Sequence, residues 1–385
     1  MDPVELARKL IRCPSVTPRD EGAIDCLEVE LTALGFSCHR LRFEEAGSPP
    51  VDNLYARVGN ALPNFCFAGH TDVVPPGERG LWRHDPFGAE IHDGVLFGRG
   101  AADMKSSIAA FVAAAERFLR GNKFTGSISL LITGDEEGTA VNGTPKLLNW
   151  LKSRGEKLSH CIVGEPTSRV SPADTLKIGR RGSINFVVRA RGVQGHVGYP
   201  HTARNPIPAL AALVTRFSSH ELDKGNDHFE PSTLSFTSFD VGNPATNVIP
   251  AEAHATFNIR FNDLHTLESL IGWTQLAADR VARETGCEIA LSPSVSGVAF
   301  LTKPGPFTDL VSKAVKRATN MVPEMSTSGG TSDARFIKDH CPVVELGLAG
   351  STMHKVDERV PVADILRLSE IYLAILSDYF AKPPA

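Results

Sequence analysis

Five clusters of imidazole and carboxylate groups are spread along the chain: His70-Thr71-Asp72, Asp103, Glu136-Glu137, Glu165 and His354. Taken singly, each has an ordinary explanation. A loop histidine is more often hydrogen-bonded at a surface than bound to an ion, and an acidic pair is usually a solvated turn. Placement shifts the balance, because four of the clusters fall at the ends of expected strands or in the next loop, where an α/β sheet gathers its side chains. Histidine nitrogen and carboxylate oxygen, with no cysteine nearby, suit zinc or a similar divalent ion in a catalytic site. Repulsion among Asp103, Glu136, Glu137 and Glu165 would be costly in an enclosed pocket unless cations offset it. Two divalent ions about 3.5 Å apart would share one bridging carboxylate and bridge a hydroxide. One carboxylate would stay free as general base. Spacing alone does not say which carboxylate takes which part.

The elements that must hold these groups alternate. Helical periodicity covers Val4 to Ile11 behind Pro3, and again roughly 21–34 before Gly35. The apolar runs Asn64–Ala68, Ser127–Thr133 and His160–Val163 read as strands, with helices expected over Ser106–Leu119 and Thr144–Lys152. This alternation predicts an α/β fold with a mixed, largely parallel sheet between helices. The texture changes near residue 180. Strands are expected at Ser183–Ala190, Ser232–Phe239, Ala253–Phe261 and Glu288–Leu291, with helices at 206–219 and 266–285. That order is a split βαβ, ferredoxin-like α+β sandwich. The α/β texture resumes with helix 306–319, strand Val343–Leu346 and a last helix over about 362–380. The expected organisation is a discontinuous catalytic domain, 1–180 with 295–385, and an inserted lid and dimerisation domain, 181–294.

Composition narrows the function class. Of 385 residues, 40 are Lys or Arg and 44 are Asp or Glu, giving a formal charge of −4 and no basic field for nucleic acid. Seven cysteines without a C-x-x-C spacing argue against a disulfide framework and for thiols in a reducing compartment. No secretory signal and no run of 18 apolar residues is visible, so no membrane association and a cytoplasmic location are expected.

The stretches FAGHTDVVPPG (67–77), GRGAADMK (98–105), ITGDEEG (132–138), VGEPTS (163–168) and STMHKVDE (351–358) resemble the dinuclear zinc aminoacylase and carboxypeptidase superfamily. GRRGSI (179–184), GHVGYPHTARNPI (195–207), NVIP (247–250) and SGGTSDARF (328–336) are similar to its desuccinylase branch, which removes succinyl groups from acylated diaminopimelate. Two zinc ions per subunit, with cobalt as a possible substitute, are what the resemblance implies. Asp103 would bridge them, with His70 and Glu165 completing one site and Glu137 and His354 the other. Glu136 would be the base that activates the bridging hydroxide, and Asp72 would orient the His70 ring. A lid histidine, matched by His196, would reach the oxyanion in the partner subunit's site, which implies a homodimer. Arg260 matches the family's carboxylate-binding arginine. Arg180, Asn247, Gly330 and Thr331 are expected around the same acyl carboxylate. Gly134 and Gly198 depart from the branch, which more often carries small side chains there.

Competing readings are weaker. Gly98-Arg99-Gly100 lacks the rest of a nucleotide-binding fingerprint. The Ser/Gly-rich loop 326–332 could hold a serine nucleophile but has no G-x-S-x-G elbow. A non-enzymatic zinc-loaded binding module would not need to keep Glu136 beside all five ligand positions. Within the superfamily, an N-acetylornithine deacetylase, an aminoacylase or a carboxypeptidase would share the metal set, and only the acyl pocket discriminates among them.

Overall fold

All seven positions of the Asn64–His70 strand are buried, as in a strand covered on both faces. In the computed structural model, which describes residues 1–121 and 123–384, this strand lies within an eight-stranded sheet. The strand order is Ser37–Glu45, Ser48–Gly59, Ser127–Thr133, Asn64–His70, His160–Val163, Val343–Glu345, Thr175–Lys177 and Glu324–Ser326. The four strands from Ser127–Thr133 to Val343–Glu345 run parallel, with His70 beside Thr133, Ala68 beside Val163 and Val163 beside Glu345. Their carboxyl ends therefore finish together. His70, the Asp135–Glu137 turn and Glu165 emerge together at the carboxyl end of these strands.

Aromatic packing fixes the helices against this layer. Phe65 and Phe67 stack on Phe111 of helix Lys105–Gly121, at 6.4 and 4.3 Å between ring centres. Tyr372 and Tyr379 of helix Val362–Ala381 meet Phe67 and Phe65 edge-on. The Tyr372 hydroxyl donates to the Leu346 carbonyl at 2.6 Å, and the Tyr379 hydroxyl lies 3.0 Å from His160 Nδ1. Gly164, just before Glu165, leaves room for this cluster, since a Cβ there would stand 2.4 Å from Phe67 Cζ.

Residues Met1–Ile178, Thr302–Ser326 and Ser332–Ala385 form one compact unit; Gly179–Leu301 and Thr327–Thr331 form a second. The second unit has an antiparallel sheet in the order Thr233–Asp240, Glu252–Phe261, Gly182–Arg191, Glu288–Gly297. Helices Pro206–Ser218 and Leu267–Thr285 complete a ferredoxin-like arrangement. Along Gly182–Arg191, Ile184, Phe186, Val188 and Ala190 are buried, while Asn185, Val187, Arg189 and Arg191 are exposed.

Some strands differ from the sequence reading. Ser37–Glu45 and Ser48–Gly59 form an antiparallel hairpin that apolar alternation did not disclose. Its outer strand is rich in charge, and Arg40 and Arg42 pair with Asp52. The strand expected to stop at Leu291 continues to Gly297 through Pro293. It is an edge strand, where a missing N–H is tolerated.

The aromatic cluster gives a direct stability test by urea unfolding. Phe67→Ala should cost about 3–5 kcal/mol, the range for deleting a large buried aromatic ring. Val29→Ala, at a position 69% exposed, should stay within about 0.5 kcal/mol of the parent. Equal effects would contradict the packing described.

Candidate metal centre

His70 closes its strand with a ring that is 1% exposed. Its Nδ1 lies 2.9 Å from the Asp72 carbonyl oxygen, which can only accept, so this nitrogen carries a proton and Nε2 faces the site. Nε2 stands 3.2 Å from Asp103 Oδ1 and 3.9 Å from Glu165 Oε1. The other Asp103 oxygen, Oδ2, lies 3.2 Å from His354 Nε2. One carboxylate thus faces two imidazoles, one on each oxygen. His354 Nε2 is also 2.8 Å from Glu137 Oε1.

At this site three groups of ligand atoms each fall within 4.8 Å of one another: His70 with Asp103 and Glu165, Asp103 with Glu137 and His354, and His70 with Glu136 and Glu137. Asp103 belongs to the first two. The donor set, two imidazoles and four carboxylates, fits borderline divalent ions held by nitrogen and oxygen.

The charges are held at a cost. Burial lifts the Glu165 carboxyl well above its ordinary range, and Asp103 and Glu136 add to the effect. Burial raises Glu136 in the same direction, opposed by the charge of His70. Burial disfavours a cation at His70, but the hydrogen bond to Asp103 and the surrounding carboxylates push its pKa up. Contacts with Asp103 and Glu137 lift His354 to about 10. Burial would raise Asp103, yet its bonds to both histidines bring it down. Cations placed among these groups would relieve the same repulsion.

The supporting residues are less visible in the sequence. Asp72 stands with its carboxylate 3.6 Å from His70 Nδ1, and that carboxylate accepts the backbone N–H groups of Glu136 and Glu137 at 3.3 and 3.0 Å. Contact with the His70 ring is made chiefly by its main-chain carbonyl. Burial raises the Asp72 carboxyl to about 6. Glu358, fully buried, accepts from the Ala102 and Asp103 N–H groups at 2.9 and 3.1 Å and from Arg99 Nη1 at 2.6 Å. Nothing in STMHKVDE distinguishes a solvated terminal Glu from one that grips the Asp103 loop. Gly134 is accounted for by crowding, since a Cβ there would meet the Asp52 carbonyl oxygen at 2.9 Å.

The remaining predicted residues lie in the second unit. His196 sits on the two-residue strand Gly195–His196, paired with Val248–Ile249, and Asn247 precedes that partner strand. The exposed His196 ring accepts the Gly198 N–H on Nδ1 at 2.9 Å, and the Val197 N–H donates to the Asn247 carbonyl at 3.1 Å. Arg180 Nη1 donates to the Gly330 carbonyl at 3.0 Å, beside Thr331. Arg260, on the Glu252–Phe261 strand, has its Nη1 buried with no hydrogen-bond partner among the described residues. Burial and the nearby charge of Arg181 lower its pKa.

Comparison with known proteins is consistent with this geometry. The model of peptidase family M20/M25/M40 matches residues 66–378. A succinyl-diaminopimelate desuccinylase of Rhodospirillum centenum is 59% identical over 381 residues, covering 99% of this chain and 98% of that protein. One from Parvibaculum lavamentivorans is 57% identical, covering 99% and 96%. Among solved structures, aminopeptidase PepT from Bacillus cereus shares the fold with a TM-score of 0.80 at 20% identity, covering 99% of this chain and 98% of its own. Bacillus subtilis YxeP, described as a dinuclear metal-binding M20 peptidase, gives 0.73 at 16% identity, covering 98% of each chain. With most of its length matched by the family model, and with relatives alike from end to end, the chain belongs to peptidase family M20/M25/M40.

Proposed function

We propose that this chain is a metal-dependent amide hydrolase that converts N-succinyl-LL-2,6-diaminopimelate to succinate and LL-2,6-diaminopimelate, on the route to diaminopimelate and lysine. The observation that carries the chemistry is Asp103 set between His70 and His354 with Glu136 alongside. The choice of acyl group over an acetylated amino acid or a peptide is supported by the names and the 55–59% identity of the full-length relatives. Among the described residues no helix is long and apolar enough to cross a membrane, and we place the reaction in the cytoplasm.

His70, Asp103 and Glu165 would hold one divalent ion, and Asp103, Glu137 and His354 the other, zinc being the expected metal and cobalt acceptable to the same donors. When bound, the ions supply Lewis acidity toward the amide carbonyl and lower the pKa of water at the site. Glu136 takes a proton from the attacking water as the oxygen bonds to the acyl carbon. It returns that proton to the amine nitrogen as the C–N bond breaks. The upward push of burial on Glu136 suits a group that must both accept and give a proton near neutral pH. Asp72 contributes by pinning the 136–137 backbone.

Arg260 would receive the terminal succinyl carboxylate, because a buried guanidinium nitrogen without a partner is unfavourable until an anion arrives. Arg180, Asn247, Gly330 and Thr331 are its proposed neighbours at the substrate. His196 would act on the developing oxyanion across a homodimer. Its Nδ1 accepts from Gly198, so the neutral ring keeps its proton on Nε2 as an outward donor. On this reading the unit 179–301 serves as lid and dimerisation domain. Sedimentation should give about twice the 41.4 kDa chain mass, and a monomer at working concentration would rule out the shared site.

One kinetic panel tests the reaction. The zinc-loaded parent should turn over the N-succinyl substrate faster than its N-acetyl counterpart. Glu136→Gln should retain metal but lose about 10²–10⁴ in kcat. Arg260→Ala should impair the succinyl substrate about 10-fold or more beyond its effect on the acetyl one. Preference for the acetyl substrate would overturn the substrate choice. An active Glu136→Gln enzyme would overturn the assigned base.

A further inference from the structure

A second imidazole–carboxylate cluster lies in the segment 84–92, apart from the residues assigned above. His84 Nδ1 and His92 Nε2 stand 3.3 and 2.9 Å from the same atom, Glu90 Oε2. The three ligand atoms lie within 4.8 Å of one another. In a tetrahedral zinc site, bonds of about 2.0–2.1 Å put neighbouring ligand atoms about 3.3 Å apart. The two imidazole–carboxylate distances are close to that value.

The local backbone is built to hold it. Ile91–His92 pairs with Val95–Phe97 across a two-residue turn, Asp93-Gly94, in which both residues have positive φ. The Phe97 N–H donates to the Glu90 carbonyl at 2.9 Å, which fixes Glu90 beside the hairpin. His84 is anchored from its neighbour. Arg83 donates from its backbone N and its Nε to Asp357, at 2.8 and 2.6 Å. The His84 and His92 rings stack at 4.0 Å, and His84 also lies 4.5 Å from the Phe97 ring.

Two N–H donors on one carboxylate oxygen would explain the contacts without a metal. That arrangement, however, places two imidazole protons against a single oxygen and leaves the rings face to face. One divalent ion replaces both protons. Coordination requires the rings to open from their stack, which the half-exposed His92 and Glu90 side chains allow. The same exposure gives an ion a path in and leaves room for water as a fourth ligand. Two imidazoles and one carboxylate select zinc, cobalt, nickel or copper over magnesium or calcium. The guanidiniums of Arg83 and Arg359 lie 5.9 Å from the Phe97 ring centre and add positive charge to this region. Asp357 offsets part of that charge through its pair with Arg83.

We propose that His84, Glu90 and His92 form a third, peripheral transition-metal site, separate from the dinuclear centre and independent of the reaction assigned above. The backbone beside the site is linked to residues 354–358. Arg83 holds Asp357 at one end, and the Arg99 guanidinium, paired with Glu358, lies 5.3 Å from the Trp82 ring.

The test is equilibrium dialysis of metal-stripped full-length protein against zinc, with metal counted per chain, for the parent and for the double variant His84→Asn/His92→Asn. The parent should bind one equivalent more than the double variant, whatever the count at the buried centre. Zinc beyond two equivalents should raise the melting temperature of the parent and not of the variant. In chelator the two proteins should melt together, showing that the substitutions leave the fold intact. A second arm uses His70→Asn/Glu165→Gln, which should retain the extra equivalent. Equal zinc counts in the parent and the double variant would overturn the site. Loss of the extra equivalent in the His70→Asn/Glu165→Gln protein would show that it belonged to the buried centre, and would overturn it too.

Discussion

The Asp103 carboxylate is caught between two histidines, and much of the first unit is arranged around that arrangement. Its two oxygens face His70 and His354 at 3.2 Å each, in a site where burial penalises every charge. Glu136, Glu137 and Glu165 crowd the same space. A pocket of this composition is stable only when cations, either protons or metal ions, sit among the carboxylates. Metal binding and acid–base chemistry are therefore two consequences of one electrostatic constraint.

The fold meets that constraint with rigid parts. Three parallel strands end in register and deliver His70, the Glu136-Glu137 turn and Glu165 from different stretches of chain. Asp103 stands at the start of helix Lys105–Gly121, its loop held by Glu358. Glu358 is itself neutralised by Arg99 within the protein interior. Such a pair adds little net stability relative to apolar residues, yet removing one partner would leave a charge buried without compensation. The aromatic layer of Phe65, Phe67, Phe111, Tyr372 and Tyr379 lies behind these ends.

Much of this was legible in the sequence. The strands carrying His70 and Glu137 announce themselves as apolar runs ending in small and acidic residues, and the split βαβ order follows from alternation and helix length. What stayed hidden was set by tertiary context. The Ser37–Glu45 strand is charged because it lies at a sheet edge, and Pro293 interrupts a pattern without interrupting a strand. The Arg99–Glu358 pair reads as surface charge until the chain is folded. Asp72 lies against the His70 ring, and its carboxylate is also engaged by the 136–137 backbone, a contact no spacing rule reveals. The unpartnered nitrogen of Arg260 also becomes visible only from burial and missing contacts.

Metal ions entering this site would displace protons from His70, His354 and the raised carboxyls. The most direct measurement is the number of protons released as zinc is added to metal-stripped protein at pH 7, by calorimetry in buffers of different ionisation enthalpy. With His354 lifted to about 10 and His70 and Glu165 also raised, binding of the first two equivalents should expel about two protons or more per chain. Tight binding of two zinc ions with no proton release would contradict the account.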